Sequence, residues 1–236
     1  MGMKVLQNKV QIRNARQDLK KMGVSSTESI FRSLLRRLGL VKGILVGDDV
    51  KSWDVLSTLN FIKKNTEFSE PILDIGCYAS EVIIALHRLG YTNLSGIDLN
   101  PDLKKMPHHD FINYVTNNFM QTQFENAAFS VITSISVIEH GFEGKKLLEE
   151  ISRLLKPGGY FIASFDYWPE KIATEEIKFF DMEWLIFSKK DIADFVNQAA
   201  KCQLSPISEL HYESDERTMD CAGKQYTFGW LVLKKQ

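Results

Sequence analysis

Short apolar runs alternate with helical patterns over most of the chain, and this alternation limits the fold more than any other feature. Strands that alternate with helices are typical of a parallel sheet covered by helices on both faces. The predicted strands are 72–75, 94–97, 111–115, 131–135, 160–165, 204–212 and 226–233, and the predicted helices between them are 81–89, 144–155 and 189–200. A polar segment rather than a helix separates the last two strands, which predicts an antiparallel hairpin closing a seven-stranded sheet.

The sequence before this alternation predicts a helical N-terminal extension, or lid, over residues 1–66. Its helices are expected at 25–40, where Ser25 and Glu28 have capping-box spacing, and at 49–64. Residues 67–236 are expected to form a doubly wound, mostly parallel Rossmann-like α/β domain. The stretch 166–187 is too long for a simple connection after the fifth strand. Insertions at that end of an open sheet usually contact substrates.

Composition excludes several classes of protein. Hydrophobic residues at 44% and charged residues at 25% are ordinary for a globular chain, which excludes disordered and fibrous classes. No apolar run approaches the roughly 18 residues that span a bilayer, and the N-terminus lacks the apolar core of a signal peptide. Three widely spaced cysteines predict neither a disulfide framework nor a zinc site. We therefore expect a cytoplasmic protein.

Charge is distributed unevenly along the chain. Residues 1–42 contain ten Lys or Arg and two acidic residues, a net charge of +8, so the remainder carries −9. Such asymmetry is compatible with an arm that binds nucleic acid or an anionic membrane. The simpler interpretation is a basic helical extension docked on an acidic body, because no aromatic side chains interleave with these charges as single-strand binding requires.

The stretch "ILDIGCYASE" joins the first predicted strand of the sheet to a helix. In an open parallel sheet the ligand lies beyond the carboxyl ends of the strands, and this exit carries Asp74, Gly76, Cys77 and Tyr78. A second carboxylate, Asp98, ends the next strand 24 residues later, where it can accept both hydroxyls of a ribose. The pair indicates a ligand of the adenosine type.

With these motifs, residues 70–166 resemble the class I S-adenosylmethionine-dependent methyltransferases. "DIGCYAS" keeps three positions of that family's Asp-x-Gly-Cys-Gly-x-Gly turn, and "GIDLNP", "FSVITSISVIEH" and "LLKPGGYFIAS" follow in the family's order. The resemblance implies S-adenosyl-L-methionine as cofactor. It places Asp98 on the ribose, Leu99 and Phe119 against the adenine, Asn118 on the adenine amino group, and Ser134 and Ile135 near the cofactor; Asp74, Gly76, Cys77 and Tyr78 form the turn.

Tyr78 and Ser80 replace two glycines of that turn. Glycines there permit positive φ angles and let the backbone approach the ligand closely. Either the pocket has been rebuilt around Tyr78, or it has degenerated in a protein that no longer catalyses. The retained Asp74 and Asp98 favour a rebuilt pocket.

Glu139 and His140 are the first catalytic candidates. In two branches of the family, the small-RNA 2′-O-methyltransferases and the ubiquinone-pathway O-methyltransferases, this position reads Glu-x-x-Glu-His and binds a divalent metal. Ser136 stands where the first carboxylate would be, so no metal site is predicted. His140 is then a base or a residue of the pocket wall. Asp166 and Tyr167 follow the fifth strand, where a substrate hydroxyl or amine would meet a base and an aromatic wall.

The expected reaction is direct displacement of the sulfonium methyl group by a substrate nucleophile, which mainly requires alignment and exclusion of water. A lid over a modest pocket favours a small-molecule or sugar hydroxyl as acceptor. Two alternatives stay open: a nucleic-acid or protein methyltransferase that docks through the basic N-terminus, and a non-catalytic ligand-binding protein that keeps the fold.

Overall fold

The computed structural model describes residues 2–28, 36, 38, 40, 43–141, 143–179 and 181–236. Most of the helix predicted over 25–40 lies outside these residues. The strands are β1 Met3–Val5, β2 Ile72–Ile75, β3 Leu94–Asp98, β4 Ile112–Thr116, β5 Phe129–Ile135, β6 Leu155–Tyr167, β7 Lys178–Phe179, β8 Met182–Glu183, β9 Leu204–Pro206, β10 Met219–Cys221 and β11 Lys224–Lys235. The helices are α1 Lys9–Lys21, α2 Ser52–Asn65, α3 Glu81–Arg88, α4 Gly144–Leu154 and α5 Lys189–Lys201, with short 3₁₀ turns at Asp49–Lys51 and Pro101–Lys105.

One large sheet organises the chain. Its order is β1-β11-β6-β5-β2-β3-β4, and the five strands from β2 to β6 are parallel to their neighbours. The strand β11 is antiparallel to β6 and pairs on its other side with β1, β9 and β10. The predicted doubly wound, mostly parallel sheet with an antiparallel C-terminal hairpin is confirmed. Within the described residues this sheet has nine strands instead of seven, because β1 and β10 join it.

The central strand β2 explains why the sheet is buried on both faces. All four of its residues are at most 1% exposed, and successive side chains enter different core clusters, Ile72 on one face and Leu73 on the other. Burial of a whole strand in this way is typical of a parallel strand covered by helices on both sides. The carboxyl ends of β2, β3, β5 and β6 therefore meet at one edge, where a ligand site can form.

The N-terminus differs from the prediction. Residues Met3–Val5 pair with residues 229–231 of β11, so the extension begins with a strand of the main sheet. The strand β1 also explains why the strand predicted over 204–212 ends at Pro206. β9 pairs with β11 only from Leu233 onward, because β1 occupies the adjoining part of the edge of β11 that a longer β9 would need. The domain boundary at residue 66 remains a prediction.

No helix in the described ranges combines the length and the apolar character that a membrane crossing requires.

Candidate active site

The turn after β2 has the backbone geometry of a ligand-binding loop. Gly76 has a φ of +69°, and a Cβ placed on it would lie 2.3 Å from Cγ2 of Val137. Only glycine fits this position, both in conformation and in space. Cys77 follows with no exposed surface, and burial raises the pKa of its thiol, which makes it a packing residue of the turn.

The two replaced glycines stand where the turn does not require them. Ser80 has a φ of −65° and caps α3, with its side chain accepting a hydrogen bond from the Val82 amide. Tyr78 is outside the left-handed region, whereas Ala79 lies within it at a φ of +61°. The turn therefore has two residues in the left-handed region, and the second of them is an alanine.

Asp74 lies beneath this turn, at the centre of the sheet edge. Its side chain is 1% exposed, and its Oδ1 accepts a hydrogen bond of 2.6 Å from the hydroxyl of Thr133. Burial, with a contribution from the nearby Asp98, raises the pKa of Asp74 to about 6. Next to Thr133, the hydroxyl of Ser134 is buried without a hydrogen-bond partner among the described residues. Such a hydroxyl is unusual unless a ligand or water completes it.

Asp98 ends β3 beside the turn, half-buried. Its Oδ2 accepts a hydrogen bond of 2.9 Å from the Tyr78 amide, and its Oδ1 accepts one of 2.8 Å from the Asn100 amide. Each carboxylate oxygen retains a further lone pair, so Asp98 is held in one orientation and can still accept from a ligand. Asp74, Gly76 and Asp98 thus lie at the ends of adjacent parallel strands, as predicted.

The predicted adenine-binding residues lie at the outer side of this edge. Leu99 is 56% exposed. Asn118 is exposed and its Oδ1 accepts from the Met120 amide, while Phe119 packs partly against the core. The loop after β4, which carries Asn118 and Phe119, is tied to the end of β3, because the Asn117 amide donates to the carbonyl of Asp98. Ile135 is half-buried at the end of β5.

A second group of side chains lies at the ends of β5 and β6, and at its centre is Lys51. The Lys51 ammonium donates to the Ser136 hydroxyl and lies 3.9 Å from Oδ1 of Asp166 and 3.6 Å from the ring centroid of Phe228. Trp184 donates from Nε1 to Oδ2 of Asp166 at 2.8 Å. Asp166 is therefore held from two sides by donors from outside the strand that carries it.

Two more carboxyl groups complete this acidic cluster, which comprises Asp54, Glu139 and Asp166 around Lys51. Glu139 is 1% exposed, and its Oε2 is buried with no donor among the described residues. Burial and the neighbouring Asp166 raise the pKa of Glu139 to about 8. Asp54 accepts from the Ser164 hydroxyl at 2.8 Å, and burial raises its pKa to about 6. At neutral pH, Glu139 therefore holds a proton.

His140 is adjacent to the acidic cluster, with its ring centroid 6.0 Å from that of Phe179. Burial, and then the charge of Lys51, lower the pKa of His140 to about 4. The imidazole is neutral at pH 7, but it is a weak base there. Its position fits the pocket wall better than a proton-accepting role.

Tyr167 does not join this cluster. It is fully buried, its hydroxyl donates to the Tyr212 carbonyl at 2.9 Å, and its ring packs against Phe165. Because successive residues of a strand point to opposite faces, Tyr167 points away from the side occupied by Asp166. The catalytic role predicted for Tyr167 is corrected to a core position.

Two residues of the acidic cluster and its surroundings, Lys51 and Trp184, were not predicted as site residues. Lys51 lies 85 residues before Ser136, and nothing in its local pattern distinguishes it from a surface lysine. Trp184 lies within the predicted insertion 166–187. The length of that insertion predicted a contact with the substrate, but nothing in the sequence singled out Trp184.

Comparison with known proteins agrees with the geometry of this edge. Residues 73–163 match the family model described as a methyltransferase domain. The ubiquinone biosynthesis O-methyltransferase of Dictyostelium discoideum is 28% identical over 39% of this chain and 34% of its own length, and the sterol 4-C-methyltransferase strm-1 of Caenorhabditis elegans is 30% identical over 43% and 33%. The matched part thus spans about a third of the length of these relatives.

Solved structures extend the likeness to the fold of the whole chain. A geranyl diphosphate C-methyltransferase from Streptomyces coelicolor, solved with Mg²⁺, geranyl diphosphate and S-adenosyl-L-homocysteine, superposes with a TM-score of 0.58 at 14% identity over 76% of this chain and 80% of its own. The [4+2]-cyclase SpnF superposes with a TM-score of 0.58 at 12% identity over 99% and 98%. Residues 73–163 thus match a methyltransferase domain, and the sheet that contains them has the fold of S-adenosylmethionine-dependent methyltransferases.

Proposed function

We propose that the chain is an enzyme that binds S-adenosyl-L-methionine at the edge formed by β2 and β3 and methylates a hydroxyl group of a small molecule or sugar. The observation that carries the proposal is the juxtaposition of two sites along one sheet edge. A glycine turn flanked by Asp74 and Asp98 lies at β2 and β3, and the acidic cluster lies next to it at β5 and β6. A methyl donor and an acceptor would meet between them.

The residues of the first site fit the cofactor. Gly76 fixes the shape of the turn beside these carboxylates, because its positive φ and the Val137 side chain leave no place for a Cβ. Asp98 would accept the ribose hydroxyls, Leu99 and Phe119 would contact the adenine, and Asn118 would bond its amino group. The unpartnered hydroxyl of Ser134 is available for a polar group of the ligand.

When bound, S-adenosyl-L-methionine supplies a methyl group already activated by its positive sulfur. The protein must then hold the acceptor oxygen in line and take its proton. Asp166 is the candidate base, because two donors stabilise its charged form, whereas Glu139 is protonated at pH 7 and His140 is too weak a base. Glu139 would instead donate a hydrogen bond to the acceptor or to Asp166.

The N-terminal segment packs on the turn after β2 and contributes Lys51 and Asp54 to the acidic cluster, which supports a small acceptor. The Gly47 amide donates to the Ala79 carbonyl at 2.9 Å, and Arg16 forms a buried bidentate ion pair with Glu81 at 2.7 and 2.8 Å. These contacts attach Arg16 and Gly47 to the start of α3. A polymer would have to displace this segment. The named activities of the two relatives differ on the methylated atom. That of the Dictyostelium relative favours oxygen, and that of strm-1 favours carbon.

Calorimetric titration with S-adenosylhomocysteine, beside S-adenosylmethionine, tests the cofactor site. We expect micromolar binding, and Gly76→Val, which cannot fit the turn, should abolish it. Acceptor screening with small hydroxylated compounds and sugars then tests the reaction. Folded protein, free of carried-over cofactor, that binds neither compound would refute the proposal.

The structural likeness to SpnF favours one alternative, a protein that keeps the fold and the cofactor site without transferring the methyl group. SpnF is named a [4+2]-cyclase and superposes over nearly the whole chain. Tight binding of S-adenosylhomocysteine without turnover on any acceptor would favour this alternative.

The other alternative, a nucleic-acid or protein methyltransferase that docks through the basic N-terminus, predicts that binding of the substrate weakens steeply as the salt concentration rises. Two of its proposed arm residues are already engaged, since Arg16 pairs with Glu81 and Lys4 donates to Ser57.

A further inference from the structure

The match to the methyltransferase-domain model does not account for the position of Lys51. This lysine precedes α2, outside the matched residues 73–163, yet its ammonium group reaches the ends of β5 and β6. Its side chain is 23% exposed, so a long, flexible cation has been taken largely out of water. Burying a charged group in this way is costly unless partners compensate it.

Lys51 is surrounded by more carboxyl groups than are needed to balance the charge of one ammonium group. Three carboxyl groups, Asp54, Glu139 and Asp166, are each at most 5% exposed and all respond to the charge of Lys51, which lowers the pKa of every one of them against the opposing effect of burial. The other polar groups facing the cluster are Ser136 and His140 after β5, Trp184 after β8, and Tyr226 in β11. Among the described residues, the cations that interact with this cluster are Lys51 and, on the side of Asp54, Lys4.

The three acids are not equivalent. Asp166 receives a hydrogen bond from Trp184 and lies 3.9 Å from Lys51, and a hydrogen bond from Tyr226 further favours its charged form. Burial and the neighbouring Asp166 raise the pKa of Glu139, whose hydrogen bonds with its own backbone and with Ser136 oppose this rise, while its Oε2 has no donor among the described residues. When two neighbouring carboxyl groups compete for charge, one takes the proton and the better-solvated one ionises. The donors select Asp166 as the ionised member.

We propose that Lys51 is a positioning residue of the acceptor site, which keeps Asp166 as the carboxylate that receives the acceptor's proton. This inference rests on the proposed methyl transfer to a hydroxyl group. The proton leaves the acceptor oxygen for Asp166, whose charge changes from −1 to 0. The oxygen would use the remaining electron pair to bond the methyl carbon, the carbon–sulfur bond would break, and its electron pair would stay on the sulfur of the departing S-adenosylhomocysteine. Lys51 takes no part in the proton transfer and forms no bond to the transferred carbon.

The test compares Lys51→Met, which keeps the length of the side chain without its charge, with Lys51→Arg, which keeps the charge. The first readout needs no acceptor: the infrared carbonyl band of protonated carboxyl groups in the folded protein at pH 7. Because Lys51 also lowers the pKa of Asp54, the gain that belongs to Asp166 is the part of the Lys51→Met band that the Lys51→Met, Asp166→Asn double variant lacks. We expect such a part in Lys51→Met and none in Lys51→Arg, and equal bands in the single and the double variant would overturn the proposal.

The second readout is the dependence of kcat/KM on pH with an acceptor in hand. Without Lys51 the pKa of Asp166 rises, so activity at pH 7 should fall on the order of tenfold and recover at higher pH. Lys51→Arg should retain most of it. A loss that is equal at all pH values would indicate a merely structural role and would also overturn the proposal.

The two proposals fail differently. If the wild-type protein does not bind S-adenosylhomocysteine, the proposed function fails, whereas the infrared comparison still decides whether Lys51 controls the charge of Asp166. If binding and turnover are present and the infrared bands of the variants are identical, only the role of Lys51 fails. Thermal unfolding of each variant controls for loss of the fold.

Discussion

The two halves of the candidate site are built in opposite ways. The cofactor half is local: Asp74, Gly76 and the cap of α3 lie within eight consecutive residues, and Asp98 is on the adjacent strand. The acceptor half gathers its side chains from α2 and the turn before it, from the loop after β5, and from β6, β11 and the insertion. Local backbone geometry therefore fixes the cofactor site, whereas tertiary packing alone fixes the acceptor site.

The difference has a functional consequence. The matched domain, residues 73–163, contains the whole cofactor half but only Ser136, Glu139 and His140 of the acceptor half. Under the proposed function, most contacts with the acceptor would therefore come from residues outside the matched range 73–163.

The largest expected effect is a loss of turnover from a change in the acceptor half that leaves cofactor binding in place. Asp166→Asn keeps the hydrogen bond geometry of the side chain but cannot accept a proton. Removing a general base typically costs 10²–10⁴ in rate, so we expect kcat to fall by roughly that factor. Affinity for S-adenosylhomocysteine, measured by calorimetry, should be nearly unchanged.

The matched control for Asp166 is Glu170→Gln, which neutralises an exposed carboxylate four residues further along the chain. We expect it to alter neither rate nor affinity. If Asp166→Asn retained wild-type turnover, the proton would have to go to Glu139, His140 or water, and the role assigned to Asp166 would be wrong.

The second prediction concerns the joint between the halves, the ion pair of Arg16 with Glu81. Both side chains are buried, and Arg16 also donates to Ser52 beside Lys51. Arg16→Met leaves the Glu81 carboxylate buried without its partner, which typically costs about 3–5 kcal/mol. Unfolding in urea should show this loss, and Arg13→Met, on the exposed side of the same helix, should not.

The double variant Arg16→Met, Glu81→Met sharpens this test. Replacing a buried ion pair by apolar residues of similar size is often neutral, so the second substitution should restore most of the lost stability. Equal stability of the double and the single variant would mean that Arg16 acts mainly through Ser52 and the Asp48 carbonyl instead.

How much of each half could be predicted follows from the same contrast. The strands β2 to β6 and the positions of Asp74, Gly76 and Asp98 were predictable, because apolar runs and a glycine turn are local signals. The strand β1 has three residues, too few to show alternation. Lys51 was not predictable at all, since its partners are between 85 and 177 residues away along the chain. Tyr167 was wrongly assigned because the face to which a strand residue points depends on its register.

The third prediction tests the cofactor half alone. Asp98→Ala removes the carboxylate expected to accept the ribose hydroxyls, an interaction worth roughly 1.5–3 kcal/mol. Calorimetry should therefore show affinity for S-adenosylhomocysteine weakened tenfold or more. The control is Asp102→Ala, whose carboxylate pairs with Lys105 at 2.7 Å on the adjacent surface. Equal effects of the two substitutions would remove the ribose assignment.

The smallest effect concerns the rebuilt turn. Ala79 has a φ of +61°, a conformation that costs an L-residue roughly 1–2 kcal/mol relative to the right-handed one. Glycine relieves this strain but adds about 0.4–1 kcal/mol of chain entropy to the unfolded state. Ala79→Gly should therefore stabilise the fold slightly, by about 0.5 kcal/mol on unfolding in urea, while Ala193→Gly within α5 should destabilise it by about 1 kcal/mol.

The opposite signs of these two alanine substitutions make the measurement a test of conformation rather than of side-chain loss. If Ala79→Gly destabilised the protein as Ala193→Gly does, the contacts of the Ala79 methyl group would outweigh its strain. The loss of two family glycines would then be a repacking of the turn around side chains. A gain in stability with unchanged cofactor affinity would mean that the cofactor half tolerates its substitutions because its backbone, and not its glycines, has been kept.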